Sequence, residues 1–275
     1  MISLLEKSLL EQYMKTILFA VISFCASVIG SICGLGGGVI IKPAADAFGL
    51  FPVSTASFMS GCVVLSMTAY SVLRAHFSGT LHLAKGISRY LVIGATAGGV
   101  VGKALFSVIK NAAGSANLVG GIQSAALLVL IIGAALYMIR EHSIRTRHVT
   151  SPAACIAVGL STGLLSAFLG IGCGPINLVV LYYFFSMNAK SAAQNSLFII
   201  LVSQTASLIS TIVTGSVPEF SPVLLAVSAL CGILGGMVGR KINKHIDNTE
   251  VEKLFLYLLC VIIIICVYNI YRFAA

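Results

Sequence analysis

The feature that most constrains the fold is a glycine-rich segment that occurs twice in an apolar chain. The first copy spans residues 34–43 and reads GLGGGVIIKP, and the second spans residues 170–175 and reads GIGCGP. The first glycines of the two copies, Gly34 and Gly170, are 136 residues apart, and the match continues at this offset without a gap as far as Gly79 and Gly215. The chain is therefore a tandem duplication in which each half begins with a glycine-rich interruption. Internal repeats of this kind in an apolar chain are typical of secondary transporters.

The composition places the chain in a membrane. Hydrophobic residues make up 58% of the sequence and charged residues 9%, with a mean hydropathy of +1.04, whereas a soluble domain carries about 25% charged residues. A bilayer crossing needs about 20 apolar residues. The apolar segments predict helices over residues 16–33, 37–51, 55–74, 88–108, 118–139, 152–169, 173–187, 191–214, 222–240 and 252–271. Segments 37–51 and 173–187 are short for a full crossing, and we interpret them as half-helices.

The distribution of basic residues predicts the topology. Basic residues occupy the loops at 74–89, 140–147 and 240–253, whereas the loop at 215–222 has none. Cytoplasmic loops of membrane proteins are enriched in lysine and arginine. All three basic loops lie on the cytoplasmic side only if segments 16–51 and 152–187 each enter the membrane and return. We therefore predict six full crossings and two re-entrant helix pairs, with both termini outside.

This topology gives an all-α, polytopic membrane protein built from two inverted repeats. Each half contains one re-entrant pair and three full crossings, and an odd number of crossings inverts the second half. We predict one transmembrane domain over residues 1–275, with repeat 1 at about 16–140, a cytoplasmic linker at about 141–150, and repeat 2 at about 151–272. The net charge of +9 lies in short loops instead of one surface patch, so it indicates membrane topology and not a nucleic-acid partner.

The glycine breaks are the predicted binding site. Unwound backbone survives at membrane depth only where it is buried in protein or lines a cavity. Two half-helix N-termini meeting there, each with about +0.5 charge and free N–H groups, would bind an anion. Alternatively, the glycines only permit helices to cross closely. Because the pattern is duplicated, we favour binding, with these site residues: Gly34, Gly36, Gly37, Gly38, Gly170, Gly172, Cys173 and Gly174.

Lys42 is an ionisable residue deep in an apolar segment, where such groups usually serve function. It either adds positive charge to the anion site or pairs with Asp46 one turn later, and its repeat counterpart is the uncharged Leu178. Polar residues also follow both breaks. As a group we expect them to contact the substrate, although singly each can serve as a helix–helix hydrogen bond: Ser57, Ser60, Asn177, Gln194, Asn195 and Ser196.

No motif indicates an enzyme. Residues 159–163 read GLSTG, which fits a hydrolase nucleophile turn, but no strand precedes it and all five histidines lie in loops or at segment ends. Dinucleotide, phosphate-binding and zinc-helix motifs are absent from the sequence, so we expect no cofactor and no metal.

The two glycine segments, together with the run AAQNSLF at residues 192–198, resemble the TauE/SafE sulfite exporter family over about residues 18–271. The second copy departs from the pattern, with Cys173 in place of a glycine and Pro175 four positions early. The resemblance implies a secondary transporter that exports sulfite, sulfoacetate or a similar anion across the bacterial cytoplasmic membrane. We expect alternating access around a midplane site. The alternatives are a carrier for another small solute, or a membrane assembly or receptor component that does not transport.

Overall fold

The computed structural model describes residues 2–79, 86–113, 115–140, 146–149, 151–172 and 174–274, with side chains described from residue 12 onward except at 113 and 116. Cys173 lies outside the described residues. The described part is helical and contains no strand, which confirms the predicted all-α fold. Its helices are α1 (Ile2–Cys33), α2 (Gly38–Phe48), α3 (Val53–Phe77), α4 (Ile87–Ala113), α5 (Ala116–Arg140), α6 (Pro152–Leu169), α7 (Gly174–Phe185), α8 (Ala189–Val213), α9 (Pro222–Asn243) and α10 (Asn248–Ala274).

Positive φ angles end the first helix of each half. Gly34, Gly36 and Gly37 have φ values of 77°, 77° and 71°, and Gly170 and Gly172 have values of 68° and 77°. Residues with a Cβ are disfavoured in this left-handed region, whereas glycine enters it without a steric cost. The backbone therefore leaves the helix at both predicted breaks, and a new helix starts a few residues later.

The two helices on either side of each break differ in length. The apolar part of α1, Gln12–Cys33, has 22 residues and α6 has 18, so both are long enough to cross a bilayer. In contrast, α2 has 11 residues and α7 has 12, which corresponds to about 17 Å, or half of a ~30 Å hydrocarbon core. The predicted short segments are confirmed as short helices, but each is joined to a long helix and not to a second half-helix.

Each helix pair returns to the end of the bundle where it began. In the first half, Gln12 near the start of α1 lines a cavity together with Phe51, which follows α2. In the second half, the backbone N–H of Val149, just before α6, donates to the carbonyl of Phe184 near the end of α7, at 2.9 Å. This geometry supports the predicted re-entrant path, and the orientation in a bilayer stays a prediction.

Residues related by the 136-residue offset make reciprocal contacts. Gly38 lies against the carbonyl of Ile171, and its counterpart Gly174 lies against the carbonyl of Leu35, the counterpart of Ile171. The counterpart helices α3 and α8 meet with opposite ends. The end of α3 and the beginning of α8 share a cavity through Ala75 and Lys190. Exchange of contacts between antiparallel halves supports the predicted inverted repeat.

The outer surface of the bundle is apolar. Large hydrophobic side chains point away from the protein interior on several long helices, for example Val129 on α5, Ile212 on α8 and Ile264 on α10. Eight helices among the described residues are long and apolar enough to cross a membrane. Lipid is the solvent that such a surface requires, because the same surface in water would aggregate. The protein is a multi-pass integral membrane protein.

Candidate anion site at the paired helix breaks

The two breaks meet halfway along α3 and α8. A Cβ atom built on Gly36 would lie 3.2 Å from side-chain atoms of both Val64 and Ile200, and one built on Gly172 would lie 3.5 Å and 3.4 Å from the same two side chains. Val64 and Ile200 are fully buried, and each is near the middle of a 25-residue helix. The breaks therefore lie together at mid-depth in the bundle, and a binding site at this point stays a prediction.

The short helices start where the opposite break turns. An added Cβ on Gly38 would lie 2.5 Å from the carbonyl oxygen of Ile171, and one on Gly174 would collide with the carbonyl of Leu35. Glycine is required at both positions because no side chain fits. The first N–H groups of a helix have no partner within it, and they carry the positive end of the helix dipole. Two such ends beside each other can bind an anion.

Two of the predicted polar residues hold the structure around the breaks. The Ser196 hydroxyl donates to the carbonyl of Gly34 at 2.7 Å. The Asn195 amide donates to the carbonyl of Ser191 and its oxygen accepts from the hydroxyl of Ser88, both at 2.8 Å. These hydrogen bonds fix the first break and the start of α8, so both residues stabilise the backbone around the predicted site.

Three other predicted residues are buried and have no hydrogen-bond partner within the part of the chain that the structure describes. Ser60 is the counterpart of Ser196, yet its hydroxyl lacks the equivalent bond, and the hydroxyl of Ser57 beside Gly170 is also unpartnered. Asn177, in the first turn of α7, has no partner for either atom of its amide and is 2% exposed. Buried polar groups are normally paired, and each exception requires an explanation.

Unpaired groups are concentrated near the second break. Gln123 donates its amide N–H to the carbonyl of Phe168 at 2.6 Å, which leaves its Oε1 atom without a partner, and the hydroxyl of Ser166 is unpartnered as well. Three further unpartnered hydroxyls lie on α1 and α9, away from this cluster: Ser23, Ser27 and Ser228. The second break thus offers both donors and acceptors to a small polar ligand.

Lys42 forms an ion pair with Asp46. The distance between Nζ and Oδ2 is 2.7 Å, and both side chains are buried. Helix α10 is hydrogen-bonded to the same turn of α2, because Arg272 donates to the carbonyls of Asp46 and Ala47. Asn269 donates to the carbonyl of Pro43 at 2.9 Å. Of the two possibilities that the sequence left open for Lys42, the structure contains the ion pair.

A cationic cavity of about 140 Å³ opens between the ends of α1, α3 and α9 and the start of α8. Its described lining residues include three cations and no carboxylate. Its wall reaches the first break, because Ala193 lies directly against Gly34. The lining residues are Ser31, Ser71, Val72, Ala75, Lys190, Ala193, Gln194, Leu197, Arg240, Asn243 and Lys244. We call it the inner cavity, because the basic loops predict that this side is cytoplasmic.

A second cavity, of about 310 Å³, lies at the opposite end, and some of its lining residues are counterparts of inner-cavity residues: Ser54, Lys103, Phe106 and Ser107. Lys103 takes the place of Arg240, and Ser54 takes the place of Lys190. We call it the outer cavity. Its other cation is Lys110, and its lining residues also include no carboxylate. Both ends of the protein therefore present a positive charge at one equivalent position, Arg240 and Lys103.

Sequence reasoning missed both cavities. At the ends of apolar segments, Lys103 and Arg240 look like side chains that reach for lipid headgroups. Instead, Arg240 donates to the carbonyl of Ser71 at 2.7 Å, and the ammonium of Lys103 lies 5.1 Å from the ring centroid of Phe106. The sequence does contain one signal that relates Lys103 to Arg240: the matching runs VVGK and MVGR at residues 100–103 and 237–240.

The two cavities differ in depth. The inner cavity extends past Gln194 to Leu197. At the outer end, Phe58 occupies the position equivalent to Gln194 and packs on Phe220, with ring centroids 5.2 Å apart. Phe58 does not line the outer cavity. The inner cavity therefore extends further along α8 than the outer cavity does along α3.

These observations define a class: a multi-pass membrane protein whose duplicated halves bring two broken helices together at mid-depth. The chain belongs to the sulfite exporter TauE/SafE family, whose family model matches residues 19–265, and the predicted resemblance is confirmed. It is also similar to the probable membrane transporter protein YunE of Bacillus subtilis (strain 168), with 25% identity over 268 residues, covering 90% of this chain and 96% of that protein. No solved structure matches the chain. It is thus a member of a membrane transporter family.

Proposed function

We propose that the protein is a secondary transporter that exports a small sulfur oxyanion, such as sulfite or sulfoacetate, across the bacterial cytoplasmic membrane. The observation that carries this proposal is the meeting of the N-termini of α2 and α7 at the two breaks, where Gly38 and Gly174 exclude any side chain. Two helix dipoles and their N–H groups favour negative charge at this point. The choice of sulfur oxyanions as the substrates rests on family membership.

The charge distribution supports an anion over a cation. Both cavities carry lysine or arginine, and among the described residues no carboxylate lines either of them. Within the described helices Asp46 is a buried carboxylate, but Lys42 neutralises it. A cation carrier would need carboxylate, carbonyl or imidazole ligands along its path. An anion instead meets Arg240 in one cavity and Lys103 in the other.

We propose that the anion contacts the backbone of both breaks and the unpartnered side chains beside them. The backbone atoms come from Gly34, Gly36, Gly37, Gly38, Gly170, Gly172, Cys173 and Gly174. Ser57, Ser60 and Asn177 supply hydroxyl and amide groups that can replace the hydration shell of an oxyanion without adding charge. Lys42 acts through the position of α2, because its ammonium is already bonded to Asp46.

We propose that transport proceeds by alternating access, which the reciprocal contacts of the two halves support. Two antiparallel repeats can exchange their conformations, so that the side that is open becomes the side that is closed. The deeper inner cavity and the Phe58–Phe220 contact correspond to an inward-facing state. In this state the anion enters from the cytoplasm. An inside-negative potential then favours its exit by about 2.3 kcal/mol per charge per 100 mV.

Flux measurements on the full chain in lipid vesicles test this function. Vesicles carry a sulfite gradient, with and without an imposed membrane potential. We expect sulfite flux above that of protein-free vesicles, and faster flux when the potential drives the anion down its gradient. Correctly folded protein that moves neither sulfite nor another small oxyanion would defeat the transport proposal. That result would favour a membrane assembly or receptor component, in which the glycine breaks serve packing alone.

A further inference from the structure

We propose that the inner cavity is a loading site, where a small oxyanion binds before it reaches the breaks, and that Arg240 is its main contact. This inference rests on the proposed transport of an anion. It adds a binding site whose wall reaches the first break at Ala193 and whose cationic residues are not part of the breaks. Lys103 in the outer cavity is the equivalent contact on the exit side.

The cavity has the charge of an anion site. Lys190 on α8, Arg240 on α9 and Lys244 after α9 all line it, and its lining residues include no aspartate or glutamate. Positive charges in a cleft with apolar walls focus the electrostatic potential and raise the local concentration of anions. A volume of about 140 Å³ is well above the ~10–15 Å³ that one water molecule needs, so a small oxyanion fits with some of its hydration.

Arg240 is held in place for this role. Its guanidinium is half-buried and donates to the carbonyl of Ser71 at 2.7 Å, which fixes the group against the cavity wall. A guanidinium has five N–H donors in a planar fork that matches the oxygen geometry of an oxyanion. The hydroxyl of Ser71 lies at the same wall, 3.5 Å from that of Ser31. The cavity therefore combines a fixed cation with neutral hydroxyl groups.

Helix α8 connects the loading site to the breaks. Ala193 lines the cavity and lies against Gly34, so that a Cβ on Gly34 would come within 2.6 Å of the Ala193 side chain. One turn later, Ser196 binds the carbonyl of Gly34. The same stretch of helix thus forms the wall of the cavity and the support of the first break. Ala193 therefore lies between the loading site and the first break.

Phosphate in a lipid headgroup has similar chemistry to a free oxyanion. The structure favours the free anion, because the cavity wall continues inward to Ala193 and Leu197, and a headgroup tied to its acyl chains in the bilayer has no reason to follow that wall. Binding measurements with sulfite and with a short-chain phosphatidylglycerol distinguish the two ligands.

The test measures sulfite flux in oriented membrane vesicles containing the full chain. In inside-out vesicles, R240Q is expected to raise the KM for sulfite at the cytoplasmic face by about tenfold or more, the effect of losing a hydrogen bond to a charged group. In right-side-out vesicles, K103Q is expected to raise the KM for external sulfite instead. R240K, which keeps the charge but loses the fork, should lie between wild type and R240Q.

Lys241 provides the matched control. It is the next residue on α9, it is exposed, and it does not line the cavity. K241Q also removes one positive charge from this end of the protein. It should leave the KM for sulfite at the wild-type value. Equal KM values for R240Q and wild type would overturn the loading site. So would equal effects of R240Q and K241Q, because they would indicate only surface potential.

A binding measurement separates failure of this inference from failure of transport. If the wild type shows no flux, sulfite-dependent stabilisation against thermal unfolding in detergent decides the question. Stabilisation of wild type and K241Q but not of R240Q would retain the site although transport had failed. No stabilisation of the wild type would overturn it. Stabilisation by a short-chain phosphatidylglycerol and not by sulfite would assign the cavity to lipid and also overturn it.

Discussion

Gly38 lies directly against the carbonyl oxygen of Ile171, so the first residue of α2 touches the backbone of the other half at its break. Gly174 makes the same contact with Leu35. Each short helix thus starts on the turn of the opposite repeat. The two helix N-termini are held together by backbone contact, which fixes the site more firmly than side-chain packing would.

This contact predicts a large effect of adding one methyl group. We expect Gly174→Ala and Gly38→Ala to destabilise the protein by about 1–3 kcal/mol, because the new Cβ would overlap backbone atoms that cannot turn aside. Sulfite flux should be lost in both. Thermal unfolding in detergent, measured with flux, checks the result. Gly133→Ala in α5 is the control, because nothing lies within 4 Å of its added Cβ. Equal stability of the three variants would contradict the close packing of the breaks.

The sequence predicted the helices well because lipid imposes a simple rule. Apolar segments must be helical in a bilayer, so the predicted segment 118–139 corresponds to α5 at Ala116–Arg140, and 152–169 corresponds to α6 at Pro152–Leu169. The breaks were also predictable. Their glycines carry positive φ angles, and their duplication distinguished them from glycines that serve helix packing.

The cavities and the partner of Lys42 could not be predicted, because they depend on contacts between distant segments. Arg240 meets Ser71 across 169 residues, and Arg272 reaches the carbonyl of Asp46 across 226 residues. One sequence contains no signal for such pairs. Whether Lys42 pairs with Asp46 or faces the site depends on one side-chain rotamer, and both choices satisfy the same helical spacing.

The ion pair between Lys42 and Asp46 predicts that removing one charge destabilises the protein more than removing both. Lys42→Met should destabilise the protein by about 3–5 kcal/mol, because it leaves Asp46 as an unpaired buried charge, whereas replacing both residues by apolar ones should cost far less. We therefore expect the double variant K42M/D46L to recover both thermal stability and sulfite flux. A stable double variant without flux would instead show that Lys42 contacts the anion.

The topology predicts where reporters lie. Fusions after residue 145, in a basic loop, and after residue 218, in the loop without basic residues, should fall on opposite sides of the membrane, the first in the cytoplasm. The measurement is the activity of a reporter enzyme that works only in one compartment. Both reporters on the same side would be incompatible with two re-entrant pairs and six crossings.

The difference in cavity depth predicts one-sided access. Ala75 lines the inner cavity, whereas its counterpart Thr211 does not line the outer cavity and is 1% exposed. In a background without native cysteines, Ala75→Cys should react with a membrane-impermeant thiol reagent from the cytoplasmic side. Thr211→Cys should resist the reagent from outside. Equal labelling of both would contradict an inward-facing resting state.

Replacing Asn177 by an apolar residue should stabilise the protein and weaken transport. Its amide is buried without a partner, and an unsatisfied buried polar group costs about 1–3 kcal/mol. Asn177→Leu, which has a similar branching pattern and no polar atoms, should therefore raise the unfolding temperature. It should also lower sulfite flux by about fivefold or more, the equivalent of one lost hydrogen bond of ~1 kcal/mol to the anion. Asn269→Leu is the control, because that amide donates to the carbonyl of Pro43 and its loss should destabilise the protein. If Asn177→Leu is less stable than the wild type, the amide is a structural group and the anion site at the second break loses its best side-chain contact.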